Sequence, residues 1–304
     1  MIPKGKFIII GGAVDLGSSL NFNEDISHPN YIKFFEQGIL KRIILESAKA
    51  ENSVVEVITT ASQVPELISE EYIKSFNQLQ VNNVRVMDIR SRTDVDSKDY
   101  LKRISEADVI MFSGGDQLRL SSIFGGTDFL RLLKKRYYED DFLIAGTSAG
   151  AAAASSNMIY RGNSSEALVK GHVQMTAGLG FIDSVIVDTH FVQRGRIGRL
   201  FYAVASNPGM LGIGLGEDAG LLITEGSCME AIGSGLTILV DGRHIRETSI
   251  YDVEMGSPVS IDGLTVHVMS LFDKYDLDKH ELIIKKVVKA AKAMNLQSND
   301  ISGS

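Results

Sequence analysis

Gly146-Thr147-Ser148-Ala149-Gly150 is a G-x-S-x-G placed between an apolar stretch, residues 142–145, and an alanine-rich one, residues 149–155. That pattern makes a serine into a nucleophile when it sits on a sharp strand-to-helix turn, because glycines permit the turn and small neighbours leave the hydroxyl accessible. Such a serine needs a base, and the chain offers His28, His172, His190, His244, His267 and His280. His190 has the most suggestive company: it follows an apolar run, 185–188, and opens His-Phe-Val-Gln-Arg-Gly-Arg-Ile-Gly-Arg. His172, after Lys170-Gly171, is its competitor. A carboxylate must orient the imidazole, and Gly214-Leu215-Gly216-Glu217-Asp218 supplies two that the spacing does not distinguish. The order serine, histidine, acid differs from the serine, acid, histidine order of α/β-hydrolases.

Attack on a carbonyl also requires donors for the oxyanion. The N–H of Ala149 is the natural first one, and Gly114 or Gly115 supplies the second, with Gly115 the expected donor. Three guanidinium groups, Arg194, Arg196 and Arg199, crowd the segment after His190, and arginine forks pair bidentately with carboxylates. They point to an anionic substrate rich in aspartyl or glutamyl groups. Gln117 and Asp188 stand at neighbouring strand ends and add polar groups to the same pocket.

The elements that would position these residues are legible in the hydrophobic pattern. Short β-branched runs at 7–10, 54–59, 84–89, 108–112 and 143–145 alternate with stretches of helical length and period such as 31–50 and 66–79, which predicts a parallel sheet with helices on both faces. Glycine or small polar clusters follow several strands, at Gly11-Gly12, Thr59–Ser62, Ser113–Asp116 and Gly146–Ser148, and ligands bind at the carboxyl ends of strands in such sheets. From residue 184 the chain turns strand-rich, with runs at 185–188, 212–215, 221–224 and 236–240, the last followed by an Asp241-Gly242 hairpin signal. Residues 1–296 therefore read as one α/β domain, with a β-rich extension over about 220–270, a closing helix over about 281–294 and a frayed polar tail at 297–304.

Composition narrows the classes. The 304 residues are 44% hydrophobic, enough to bury a large core. A formal net charge of −7 argues against a general nucleic-acid binder. The single cysteine, Cys228, excludes an intrachain disulfide, and no CxxC or HExxH pattern offers a metal site. Gly11-Gly12 lacks the spacing of a dinucleotide fingerprint, so no cofactor is expected. The N-terminal apolar run is too short for a signal-peptide core or a membrane span, which predicts a cytoplasmic protein without membrane attachment.

Taken together, Phe112-Ser-Gly-Gly-Asp-Gln117, Ser148 in Gly-Thr-Ser-Ala-Gly-Ala, His190 in Asp-Thr-His-Phe-Val-Gln-Arg-Gly-Arg-Ile-Gly-Arg-Leu, and Glu217 in Gly-Leu-Gly-Glu-Asp-Ala resemble the cyanophycinases, serine peptidases related to aspartyl dipeptidase (peptidase E). The resemblance runs from Ile10 through Leu222. It implies a three-layer α/β/α fold with a mostly parallel central sheet, of the class I glutamine amidotransferase-like or flavodoxin-like kind. It also implies a Ser148–His190–Glu217 triad, a pocket shaped by Gln117, Asp188, Arg194, Arg196 and Arg199, and a homodimer. The substrate so implied is cyanophycin, a polyaspartate carrying arginine on each side chain, cleaved to β-Asp-Arg dipeptides. Thr189, where the family pattern has glutamine, and Val14, where an acidic residue is common, depart from it and bear on substrate preference. A dipeptidase for short aspartyl or isoaspartyl peptides and a non-catalytic anion-binding protein are the alternatives.

Overall fold

The computed structural model describes residues 1–17 and 38–285. Its centre is β1 (Lys6–Ile10), whose apolar Phe-Ile-Ile-Ile is buried on both faces, as a strand in the middle of a covered sheet must be. After β1 come helix α1 (Ile39–Glu46), β2 (Val55–Ile58), α2 (Pro65–Gln78), β3 (Val84–Met87), α3 (Lys98–Glu106), β4 (Val109–Phe112), α4 (Gln117–Phe124), α5 (Asp128–Glu139), β5 (Leu143–Thr147) and α6 (Ala149–Ala154). Three of these helices start on side-chain caps that satisfy otherwise orphan N–H groups: Ser97 accepts from Tyr100, Asp116 from Leu118 and Thr127 from Leu130.

The second half runs β6 (Asn157–Arg161), β7 (Gln174–Ala177), β8 (Val185–Asp188), α7 (Ile197–Ser206), β9 (Leu211–Leu215), β10 (Ala219–Thr224), β11 (Cys228–Gly233), β12 (Thr237–Asp241), β13 (Glu247–Thr248), β14 (Ile261–Asp262), β15 (Thr265–Met269), β16 (Lys274–Asp276) and β17 (Glu281–Ile283). The principal sheet has nine strands in the order β17-β16-β11-β10-β1-β5-β4-β2-β3. Its β1, β5, β4, β2 and β3 are mutually parallel, while β10, β11, β16 and β17 add antiparallel to the free edge of β1. Within this sheet the parallel character is thus confined to five strands. Short connections such as the one between β10 and β11 can join only antiparallel neighbours.

A four-stranded sheet, β15-β12-β9-β8, packs against the principal sheet. One hydrophobic cluster contains Phe7, Ile9 and Ile144 of the first together with Val187, Ile213 and Leu239 of the second. Ile39, Ile43, Tyr72 and Phe76 of α1 and α2 cover the opposite face, against Ile8, Ile10 and Val57. On the outer face of the smaller sheet, Leu200, Ala203 and Val204 of α7 pack on Ile186 and Val240. Among the described residues no helix is long and apolar enough to cross a membrane.

Two expectations from the sequence fail here. The closing helix does not begin at Glu281, because residues 281–283 form β17 and pair with β16; Tyr275 faces Leu282 in that ladder. Residues 286–304, with the rest of that helix and the frayed tail, lie outside the described residues, as do His28 and the first part of the helix expected over 31–50. Asp241-Gly242 does not close a hairpin either. Asp241 Oδ1 accepts the Arg243 N–H at 2.9 Å, Gly242 lacks the positive φ that a two-residue hairpin turn requires, and β12 pairs with β15 only after residues 242–264 have intervened.

Candidate active site

β5 delivers Ser148 to the carboxyl edge of the sheet. Ser148 has φ 50° and ψ −104°, a strained backbone for a residue with a side chain. The flanking glycines make the strain tolerable: a Cβ on Gly146 would come within 2.6 Å of the Gly150 carbonyl carbon, and one on Gly150 within 2.7 Å of Phe112 Cβ. No other residue fits either position. The turn is tied to β1 by the Ser148 N–H, which donates to the Ile10 carbonyl at 2.9 Å. α6 then begins at once, so the N–H of Ala149 stands at a helix start beside the nucleophile.

His190 arrives from the end of β8, also at positive φ, with its N–H on the Gly11 carbonyl at 2.8 Å. Its Nε2 lies 3.2 Å from Ser148 Oγ, and its Nδ1 lies 2.8 Å from Glu217 Oε1. The imidazole is 14% exposed and the Glu217 side chain 36%, so the chain of hydrogen bonds runs from a sheltered base to an acid at the rim. Packing fixes the ring further. A Cβ on Gly12 would overlap Cε1 and Nε2 of His190 and approach Nδ1 to 3.0 Å, so the bare Gly12 backbone lies flat under the imidazole. The following residue anchors the turn, as the Phe191 ring fills the space over Gly214 that a Cβ there would occupy at 2.6 Å.

Asp218, the other carboxylate, points elsewhere. Its oxygens accept the N–H of Asp15 at 3.2 Å, the N–H of Ser234 at 3.2 Å and the Ser234 hydroxyl. Burial pushes its pKa up, with the bonds from Ser234 and Asp15 offsetting part of that. Glu217 is held from the opposite direction, since its N–H donates to Gln193 Oε1 at 3.1 Å. Neither Gln193 nor Gly12 carries a distinctive signal in the sequence beyond its neighbours, Gln193 standing inside the arginine segment and Gly12 in a plain Gly-Gly pair.

Gly114 reaches the nucleophile, with a Cβ there lying 3.4 Å from Ser148 Cβ, whereas Gly115 turns at φ 140° against the carbonyl of Ala61. Gly114 is therefore adjacent to the serine, while Gly115, the expected oxyanion donor, packs against the loop after β2. His172, the competing base, pairs with Glu166 at 3.0 Å instead. Gln117 donates through Nε2 to the Ile159 carbonyl at 3.0 Å, leaving its Oε1 without a role in that bond.

The arginines divide. Arg199 Nε donates to Asp188 Oδ2 at 2.6 Å and its Nη2 to Oδ1, and both residues are buried, at 7% and 2% exposure. Asp188 and Arg199, both expected to shape the pocket, form a buried, two-pronged ion pair with each other, because a carboxylate at the end of a buried strand requires a partner. Arg196 touches the same carboxylate at 3.4 Å and donates to the Thr189 carbonyl at 2.8 Å. Burial and the crowding of Arg199 and Arg194 push its pKa down to about 10, against the pull of Asp188. Arg194 is exposed and has no ion pair among the described residues. Two guanidinium groups thus share one carboxylate, and the third, that of Arg194, stands apart from it. Thr189 is buried and meets the cluster through its carbonyl.

A serine raised on a strained strand-to-helix turn, with a histidine and a carboxylate in line behind it, is the layout of a serine hydrolase. Residues 30–231 match Peptidase family S51. The chain is 31% identical over 278 residues to a cyanophycinase of Geminocystis herdmanii, covering 91% of this chain and 96% of that protein. It is 33% identical over 274 residues to a cyanophycinase of Trichormus variabilis, covering 90% and 86%. The crystal structure of a peptidase from an acI-B1 Actinobacterium shares the fold, with a TM-score of 0.64 and 18% identity over 90% of this chain and 97% of that one. The protein belongs to peptidase family S51 and is a serine-type peptidase.

Proposed function

We propose that the protein is a serine exopeptidase that hydrolyses cyanophycin through an acyl-enzyme on Ser148. The observation that carries this reading is the hydrogen-bonded chain Ser148–His190–Glu217 beside an arginine cluster short of negative charge. Ser148 Oγ attacks the scissile carbonyl as its proton passes to His190 Nε2, and Glu217 steadies the imidazolium through Nδ1. The oxyanion is received by the Ala149 N–H and by the glycine loop, Gly115 with Gly114 beside it. His190 then returns the proton to the departing amine, and a water activated by the same ring releases the acyl group and restores Ser148.

Substrate recognition follows from charge. Cyanophycin presents a carboxylate on every arginyl unit, and Arg194 and Arg196 are the guanidinium groups with capacity to receive one. Asp188 and Arg199 act behind them, fixing Arg196. Gln117 Oε1 offers an acceptor for the substrate guanidinium. The alignment with cyanophycinases over about nine-tenths of the chain favours the polymer over short aspartyl or isoaspartyl peptides. A cytoplasmic homodimer without nucleic-acid or membrane partners belongs to this reading through the family resemblance, and sedimentation of the purified protein tests the dimer.

The deciding experiment compares insoluble cyanophycin, polyaspartate without arginine and neutral peptides for the wild type, Ser148→Ala, His190→Ala and the double variant. The wild type should release dipeptides from cyanophycin alone. Each single substitution should lower turnover by about three orders of magnitude or more, and the double variant should be little worse. Equal rates on the three substrates would refute the substrate assignment, and multiplying losses would refute the triad.

A further inference from the structure

Asp218 is next to Glu217 yet stands outside the chain of hydrogen bonds that reaches Ser148. Three segments meet on it. Its N–H donates to the Gly12 carbonyl at 3.0 Å, and its own carbonyl accepts the Gly235 N–H at 2.9 Å. Its carboxylate takes the Asp15 N–H beyond β1 and both the N–H and the hydroxyl of Ser234 beyond β11. The residue adopts φ 47°, a left-handed conformation that aspartate tolerates better than most side chains. Close by, Gly11 and Gly216 are in backbone contact, leaving no room for a Cβ on Gly11 against the Gly216 carbonyl. The loops after β1 and β9 are therefore joined by backbone contacts and hydrogen bonds.

Those loops are the ones that touch His190. Gly12 lies under the ring face and Glu217 holds the Nδ1 edge. On the strength of the triad reading above, we infer that Asp218 is a positioning residue of the hydrolysis: its N–H holds Gly12, its carboxylate clasps Asp15 of the loop after β1 and Ser234 of the loop after β11, and the turn so fixed, which carries Glu217, keeps His190 Nε2 aimed at Ser148. A carboxylate suits this work because it accepts all three donors at once, whereas an amide accepts on one oxygen and presents a donor on the other side. Burial pushes its pKa up, so the carboxylate is held at this junction at a cost in stability.

The test measures kcat and KM on cyanophycin for Asp218→Ala, Asp218→Asn, Glu217→Gln and the Asp218→Ala/Glu217→Gln double variant, with thermal unfolding alongside. Asp218→Ala should lose at least about tenfold in kcat with KM within about twofold, since a misaimed base affects the chemical step more than binding. Asp218→Asn should fall between it and the wild type. The double variant should be within about threefold of Glu217→Gln alone, because Asp218 acts through Glu217 and its neighbour Gly12. An unchanged kcat in folded Asp218→Ala, or losses that multiply in the double variant, would overturn the inference. Full activity in Glu217→Gln would instead overturn the triad itself. If Asp218→Ala does not fold, Ser234→Ala at an exposed position removes one of the three donors: a kcat loss of about threefold at constant KM supports the inference, and an unchanged kcat refutes it.

Discussion

Replacing Gly12 by alanine isolates the contact between the loop after β1 and the base. The new Cβ would overlap Cε1 and Nε2 of His190, and the ring must retreat by about 1 Å to restore an ordinary carbon contact of roughly 3.5 Å. Displacements of that size at a reacting group cost about a hundredfold, or about 2.7 kcal/mol in the barrier. A second effect acts on the fold, because φ at Gly12 is 106° and an alanine there carries backbone strain of about 1–3 kcal/mol. Gly256→Ala separates the two. Gly256 also has positive φ, 85°, but nothing lies within 4 Å of its Cβ position, so it reports backbone strain without touching the ring. Turnover on cyanophycin and thermal unfolding should show Gly12→Ala slowed about a hundredfold and Gly256→Ala destabilised at near-normal turnover. If Gly12→Ala kept a third or more of the wild-type kcat, the imidazole would not be held as described.

Arg199→Ala leaves the buried Asp188 carboxylate with only the 3.4 Å contact to Arg196 and should destabilise the fold by about 3 kcal/mol in denaturant unfolding, whereas Arg194→Ala should leave stability within about 0.5 kcal/mol. Arg194→Lys and Arg196→Lys keep charge but lose the fork, and cleavage of cyanophycin should fall at least about tenfold, equivalent to about 1.4 kcal/mol. For Asp218 the folded-state pKa is raised, so its favourable contribution is present below the unfolded value and is lost as pH rises through the folded one. Asp218→Asn cannot ionise, and its thermal midpoint relative to the wild type should therefore improve as pH is raised from strongly acidic to neutral.

The sequence by itself determined the strands of the parallel half, the elbow at Ser148 and the location of the base, because each rests on local chemistry. Apolar runs ending in glycine need no distant partner to be recognised, and a G-x-S-x-G is a backbone requirement written in five consecutive residues. Choosing between Glu217 and Asp218 is different in kind. The two are adjacent, equally acidic and in the same turn, and only the positive φ at Asp218 and the arrival of Ser234 and Asp15 send one carboxylate inward and leave the other on His190 Nδ1. The same holds for the arginines. Spacing makes Arg194, Arg196 and Arg199 look equivalent, but α7 begins at Ile197 and turns Arg199 onto buried Asp188, while Arg194 stays in the loop facing solvent. Misreadings at Glu281 and at Asp241-Gly242 share that cause: helical periodicity and turn propensity are weak local preferences, and strand pairing with β16 and β15 overrode them. Which residues lie side by side in sequence was decided by the chain; which guanidinium groups remained to meet a substrate was decided by burial, since buried Asp188 had first to find its partner in Arg199.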